Sequence, residues 1–153
     1  MRPELKQNLV AAAVRARKRA RAPYSGFQVG AALLTRRGRV ITGANVESAS
    51  YGLTCCAERV ALFKALTEGE SDFVALAVVA RAPRGPMPCG ACRQLLAEYA
   101  GRAEVFVADA AQPGRIRTFT VRSLLPKAFV LASRHPPARR RGLTLRAVQS
   151  LTL

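Results

Sequence analysis

Apolar residues recur at helical spacing through Leu5, Leu9, Ala12, Ala13 and Ala16, which predicts a helix over about Glu4 to Ala20. Pro23-Tyr24-Ser25-Gly26 breaks that pattern and reads as a loop. The chain is then apolar from Val29 to Thr35, turns at Arg37-Gly38 and returns over Arg39 to Val46, the pattern of two strands in a hairpin. A helix is predicted from Cys56 to Leu66, ending before Gly69. Phe73 to Ala80 is a continuous apolar run and predicts a strand buried on both faces. Arg81 to Pro88 is a Pro/Gly-rich loop, and Cys89 to Tyr99 is a helix that stops at Gly101. Glu104 to Ala108 and Arg117 to Val121 give two further strands, and Ser123-Leu124-Leu125-Pro126 a short turn. A hairpin followed by alternating helices and strands predicts an α/β layered sandwich on a mixed five-stranded sheet.

Composition narrows the class. With 153 residues, half of them hydrophobic, the chain is long enough for one domain with a real core and is too apolar to be disordered. It holds no apolar stretch long enough for a membrane span, and Met1-Arg2-Pro3-Glu4-Leu5-Lys6 lacks the apolar centre of a signal peptide, so the expected compartment is the cytoplasm. Four cysteines in that compartment point to metal binding or catalysis rather than to disulfides.

The cysteines fall into a split motif, Cys56-Ala57-Glu58 and Pro88-Cys89-Gly90-Ala91-Cys92. Cys56, Cys89 and Cys92 offer three thiolates for one tetrahedral zinc, and three protein ligands leave the fourth position open, as a catalytic site requires. Cys56 and Cys89 open predicted helices, and Cys92 follows on the same helix face as Cys89, where the positive helix end favours the thiolate. Glu58 is not needed as a ligand and stands two residues from one, within reach of whatever fills the open position. Nucleobase deaminases combine these parts: a zinc-activated water and a non-ligand Glu that carries protons.

The same residues admit other uses. Cys55 could close a structural four-cysteine site, but adjacent side chains diverge, and Cys55 reads better as a small buried hydrophobe. Cys89-Gly90-Ala91-Cys92 alone would suit a redox motif, which leaves Cys56 and Glu58 without a task. A zinc ion with three thiolates is formally anionic and a weaker Lewis acid. Arg59, beside Glu58, is either the donor that withdraws charge from a thiolate or a surface arginine; sequence physics alone leaves both open.

Beyond the zinc motif, the chain resembles the small homotetrameric cytidine deaminases of pyrimidine salvage. The resemblance rests on Ala22-Pro23-Tyr24-Ser25-Gly26-Phe27-Gln28-Val29-Gly30-Ala31-Ala32-Leu33, on Gly43-Ala44-Asn45-Val46-Glu47-Ser48-Ala49-Ser50-Tyr51, and on the two cysteine segments extended to Arg59 and Gln94. Leu124-Leu125-Pro126-Lys127-Ala128-Phe129 completes it. It implies a three-layer α/β/α sandwich and one zinc per subunit on Cys56, Cys89 and Cys92, with Glu58 as the proton shuttle. It further implies hydrolysis of cytidine or 2′-deoxycytidine to the uridine and ammonia. In that family the positions of Asn45 and Glu47 hold ribose hydroxyls, those of Phe27 and of the Ala57 backbone meet the pyrimidine, and those of Tyr51 and Phe129 complete a neighbour's site in the tetramer. The position of Arg59 neutralises a thiolate. Read from the residues alone, Asn45 suits a strand-end turn, Glu47 a solvated charge, and Phe27, Tyr51 and Phe129 ordinary core packing.

The net charge of +16 invites a nucleic-acid partner, yet the basic residues cluster at Arg15 to Arg21 and Arg139 to Arg141, outside the motifs. A carboxylate beside the sugar also disfavours phosphorylated substrates. The expected partner is therefore a free nucleoside, not a membrane or a nucleic acid. A modified cytidine or other aminated heterocycle of the blasticidin kind, and a nucleic-acid binder or editor, stand as the alternatives. Residues 1–132 read as the catalytic domain, and residues 133–153 as a basic extension holding the only histidine, His135, expected to be exposed and not a ligand.

Overall fold

A computed structural model describes residues 1–131; the extension after residue 132, His135 included, lies outside the described residues. The first helix, α1 (Pro3–Arg17), starts with proline, whose missing N–H costs nothing in a first helical turn. It ends before the predicted Ala20 because the chain is drawn into strand-like pairing: Arg21 N–H donates to Asn45 O at 2.9 Å and Glu47 N–H to Arg21 O at 2.8 Å. Strands β1 (Val29–Thr35) and β2 (Val40–Ala44) form the predicted hairpin. Next come α2 (Ala57–Thr67), β3 (Phe73–Ala80), α3 (Gly90–Tyr99) and β4 (Glu104–Asp109). The chain continues through β5 (Arg117–Thr120) and a one-turn α4 (Val121–Leu124).

The strands lie in the order β2-β1-β3-β4-β5. Only β3 and β4 run parallel, joined across α3; the other neighbours are antiparallel, so the sheet is mixed as expected. Alternate residues of the central strands face opposite layers. Leu9, Val10 and Ala13 of α1 pack on one face against Ala32, Leu34, Ala77, Val79 and Phe106. On the other face Ala61 and Leu62 of α2 and Leu96 of α3 pack against Leu33, Leu76, Val78, Val105 and Val107. The result is the three-layer α/β/α sandwich, with each fully buried leucine contributing roughly 2 kcal/mol.

Two glycines set how close the helices come. A Cβ on Gly30 would lie 2.1 Å from Ala13 O, so only glycine lets α1 settle on β1. A Cβ on Gly43 would lie 2.5 Å from both Ala57 O and Ala61 N, so the first turn of α2, where the candidate residues cluster, rests directly on β2. Among the described residues no helix is long and apolar enough to cross a membrane.

Candidate functional site

Two helix starts meet at the cysteine corner. Cys56 is the N-cap of α2 and Cys89 the N-cap of α3, both with extended backbone and neither using its side chain to cap its helix, which leaves the sulfurs free. Cys92 follows in the first turn of α3 and is buried. The loop before Cys89 is stitched down by Arg93, whose Nε donates to Pro88 O at 2.7 Å and whose Nη1 donates to Leu124 O at 3.2 Å. The sulfurs of Cys56 and Cys89 are 3.8 Å apart, those of Cys89 and Cys92 3.5 Å, and all three lie within 4.8 Å of one another. Zinc–sulfur bonds of about 2.3 Å at a tetrahedral centre set sulfurs about 3.8 Å apart, so this corner fits one zinc ion. Cys55 is not part of this sulfur cluster; its N–H and C=O pair with Val46, extending the β2 edge. It is half-buried rather than fully buried, a correction to the expectation of a core residue.

Charge is graded across the corner. The neighbouring Cys92 thiol pulls Cys56 down to about 5, and Arg59 and Cys89 act in the same direction against burial. Cys92, facing the Cys56 sulfur and deeply placed, is pushed up. Arg59 Nη2 donates to Thr54 O at 2.6 Å and approaches the Cys56 sulfur at 3.8 Å, while its buried Nε has no partner. Glu58, in the first turn of α2, is only 5% exposed. Burial raises its carboxyl to about 7; the Cys56 charge adds to this, and its own backbone N–H, Cys92 and Arg59 oppose it. Ala57, between Cys56 and Glu58, is wholly buried.

The second group of candidates surrounds the loop before β1. Asn45 is buried and clamps that loop: Oδ1 accepts from Val29 N at 2.8 Å and Nδ2 donates to Phe27 O at 2.9 Å. One N–H and one oxygen lone pair of the amide remain. Glu47 accepts from Tyr24 N at 2.9 Å and Ser25 N at 3.2 Å on one oxygen, and from the Ser25 hydroxyl on the other. The Ser25 hydroxyl bond is the first cause of a carboxyl held below its ordinary value. Tyr24, Ser25, Glu47, Ser48, Tyr51 and Thr54 line a cavity of about 310 Å³.

The aromatic candidates do not serve the core, against the packing alternative drawn from sequence. Phe27 is 43% exposed, Tyr51 79% and Phe129 68%. Tyr51 stands on a single 3-10 turn, Tyr51–Leu53, that carries no apolar period. Phe129 is held on α3 by Gln94, whose Nε2 donates to Phe129 O at 2.8 Å and whose Oε1 accepts from Phe129 N at 3.2 Å. Sequence reasoning missed Gln94, Arg93 and Ser25 as organisers. Only Ser25 carried a signal, a hydroxyl before Gly26, whose φ of +67° suits a tight turn.

Comparison with known proteins agrees with this geometry. A family model described as the cytidine and deoxycytidylate deaminase zinc-binding region matches residues 3–108. The chain is 56% identical to the cytidine deaminase of Halalkalibacterium halodurans over 81% of its own length and 93% of that protein's. It is 46% identical to the cytidine deaminase of Sporosarcina psychrophila over 80% of its length and 90% of the relative's. The crystal structure of cytidine deaminase from Burkholderia pseudomallei superposes with a TM-score of 0.75 at 48% identity, over 80% of this chain and 97% of that one. A motif, a fold and a ligand corner that agree over this much of the chain make it a member of the zinc-dependent cytidine and deoxycytidylate deaminase family.

Proposed function

We propose that this protein hydrolyses cytidine and 2′-deoxycytidine to the corresponding uridine and ammonia. The observation that carries the reading is the corner itself: three sulfurs within 4.8 Å of one another at two helix starts, with the buried carboxyl of Glu58 one turn into the same helix. Cys56, Cys89 and Cys92 would hold the metal. Zinc bound there would supply a Lewis acid that brings the pKa of a water toward neutrality. Glu58 takes a proton from the attacking water and gives it to the pyrimidine N3, which makes C4 electrophilic. The water oxygen bonds to C4, Glu58 takes the remaining proton from that oxygen and delivers it to the exocyclic nitrogen, the C–N bond breaks and ammonia leaves. Glu58 ends in the protonation state in which it began, so water and cytidine balance against uridine and ammonia. Arg59, at 3.8 Å from the Cys56 sulfur, draws charge away from a thiolate.

Substrate placement follows from the second group. Phe27 packs on the pyrimidine and the Ala57 backbone meets its edge. Asn45 and Glu47 face the ribose hydroxyls with the donor and acceptor capacity that the loop clamp leaves over. An ionised Glu47 beside the sugar repels a phosphate, which favours a nucleoside over a nucleotide or a polynucleotide. Tyr51, Leu53, Phe129, Val130 and Leu131 are all at least 68% exposed on a single chain, which supports a homotetramer whose neighbouring subunits complete each site with Tyr51 and Phe129. Four free thiols suit a reducing, cytoplasmic setting. Among the described residues all five strands fall within the first 120, which supports a catalytic domain over residues 1–132 and a separate extension over 133–153.

The test is direct. Zinc-loaded protein incubated with cytidine should release uridine and ammonia in equal amounts, and it should sediment at four times the chain mass. Absence of turnover by folded, zinc-loaded protein would defeat the reading.

A further inference from the structure

Resting on the deaminase reading above, we infer that Ser25 is a positioning residue for the sugar: its hydroxyl fixes the one free lone pair of Glu47 and ties that carboxylate to the loop that carries Phe27. Ser25 bonds in both directions. Its O–H donates to Glu47 Oε1, and its oxygen accepts from Phe27 N at 2.9 Å. The other carboxylate oxygen, Oε2, is filled by Tyr24 N at 2.9 Å and Ser25 N at 3.2 Å. A carboxylate offers about four lone-pair sites, so three are taken and one remains, on Oε1. The last torsion of a glutamate is broad, and two bonds to Oε2 alone do not fix where Oε1 points. The Ser25 hydroxyl does. Gly26, at φ +67°, folds the chain so that Phe27 N–H turns back onto Ser25. Asn45 closes the far side of the same loop through Phe27 O and Val29 N.

The consequence is a coupled recognition unit. Ionised Glu47 can only accept, so its free site selects a hydroxyl that donates, and the direction of that site is set by a side chain that need not touch the nucleoside. Ser25 also lines the cavity of about 310 Å³ beside Glu47, where a sugar has room. Removing the Ser25 hydroxyl leaves the cysteine corner and Glu58 untouched. The loss therefore falls on binding of the sugar hydroxyl rather than on bond cleavage.

The test compares Ser25→Ala and Ser25→Thr with wild type on cytidine and on 2′,3′-dideoxycytidine, which lacks the 2′- and 3′-hydroxyls, with melting temperatures measured alongside. Ser25→Ala should lower kcat/KM for cytidine about tenfold, the size of one hydrogen bond to a charged group, nearly all of it in KM. On the dideoxy substrate it should change kcat/KM by less than about threefold, and Ser25→Thr should restore the discrimination. Equal losses on both substrates, or none on either, would overturn the inference while leaving the deaminase reading intact. A wild type that turns over neither substrate would overturn the deaminase reading and this inference with it.

Discussion

The cysteine corner and the Phe27 loop share the β2 side of the sheet, and they are held by different means. In the corner, Cys56 and Cys89 are placed by where helices begin, and Cys92 and Glu58 by the first turns of those helices. In the loop, Phe27 is placed by side chains reaching across the sequence, Asn45 over 16 and 18 residues and Glu47 over 22 and 23. Backbone placement makes the corner stiff, so replacing a side chain there removes chemistry without moving its neighbours. Side-chain placement makes the loop a network, where one substitution shifts recognition and leaves the chemistry in place. Corner variants should therefore act on kcat and loop variants on KM.

The largest effect expected is loss of the metal. Dialysis against a chelator, or Cys92→Ser, should reduce deamination to background; the chelated wild type should recover with added zinc and Cys92→Ser should not, with metal content read by atomic emission. Persistent turnover without bound zinc would break the contrast at its strongest point. Next in size is Glu58→Gln, which keeps shape and burial but cannot shuttle a proton. It should retain zinc and lower kcat by roughly 10²–10⁴-fold, the span of general acid–base catalysis. A rise in KM with kcat intact would move Glu58 out of the chemistry and into binding.

Gly43 tests whether the two regions are independent. The Cβ of Gly43→Ala would press on Ala57 O and Ala61 N, so α2 must lift from β2 and carry Cys56 and Glu58 with it. Overpacking of this kind costs about 1–3 kcal/mol, visible as a lowered Tm, and zinc affinity should fall with it. An unchanged zinc affinity at lowered Tm would show that the corner tolerates movement of its own helix.

The same contrast explains what could be read from the chain. Strands β1 and β3 were legible to the residue because continuous apolar runs bounded by polar turns have no other stable use in a layered fold. The clustering of Cys56, Cys89 and Cys92 beside Glu58 was legible because helix starts and spacing are local. Where local and distant forces compete, the reading slipped. The arginine-rich run to Ala20 has helical propensity, but pairing of Arg21 with Asn45 and Glu47 stops α1 at Arg17. Val121, expected to end the last strand, instead opens α4, because Thr120 and Ser123 cap each other. Asn45 could be read as a strand-end residue or as a sugar ligand; its amide clamps the loop with one N–H and one lone pair left over, which no spacing encodes.

The smallest effect expected is at Gln94, which lies between the two regimes. It sits on α3 two residues past Cys92, yet its amide is spent on Phe129, donating to its carbonyl and accepting from its N–H, with a further bond to Glu98 Oε1 at 2.8 Å. If position in the helix decided its role, Gln94→Ala would disturb the zinc corner and lower kcat. The hydrogen bonds argue otherwise: Phe129 is largely exposed and depends on Gln94 to stay against α3, so the loss falls on an aromatic proposed to reach a neighbouring site. Two neutral hydrogen bonds are worth about 0.5–1.5 kcal/mol each, and part of that is regained when a loosened segment finds its neighbour in the assembly. Gln94→Ala should therefore raise KM for cytidine roughly threefold, with kcat and zinc content unchanged. Gln94→Glu should behave the same way, since it keeps an acceptor for Phe129 N but cannot donate to Phe129 O. A fall in kcat at constant KM would place Gln94 with the corner and show that the stiffness of α3, not the tether to Phe129, is what the residue supports.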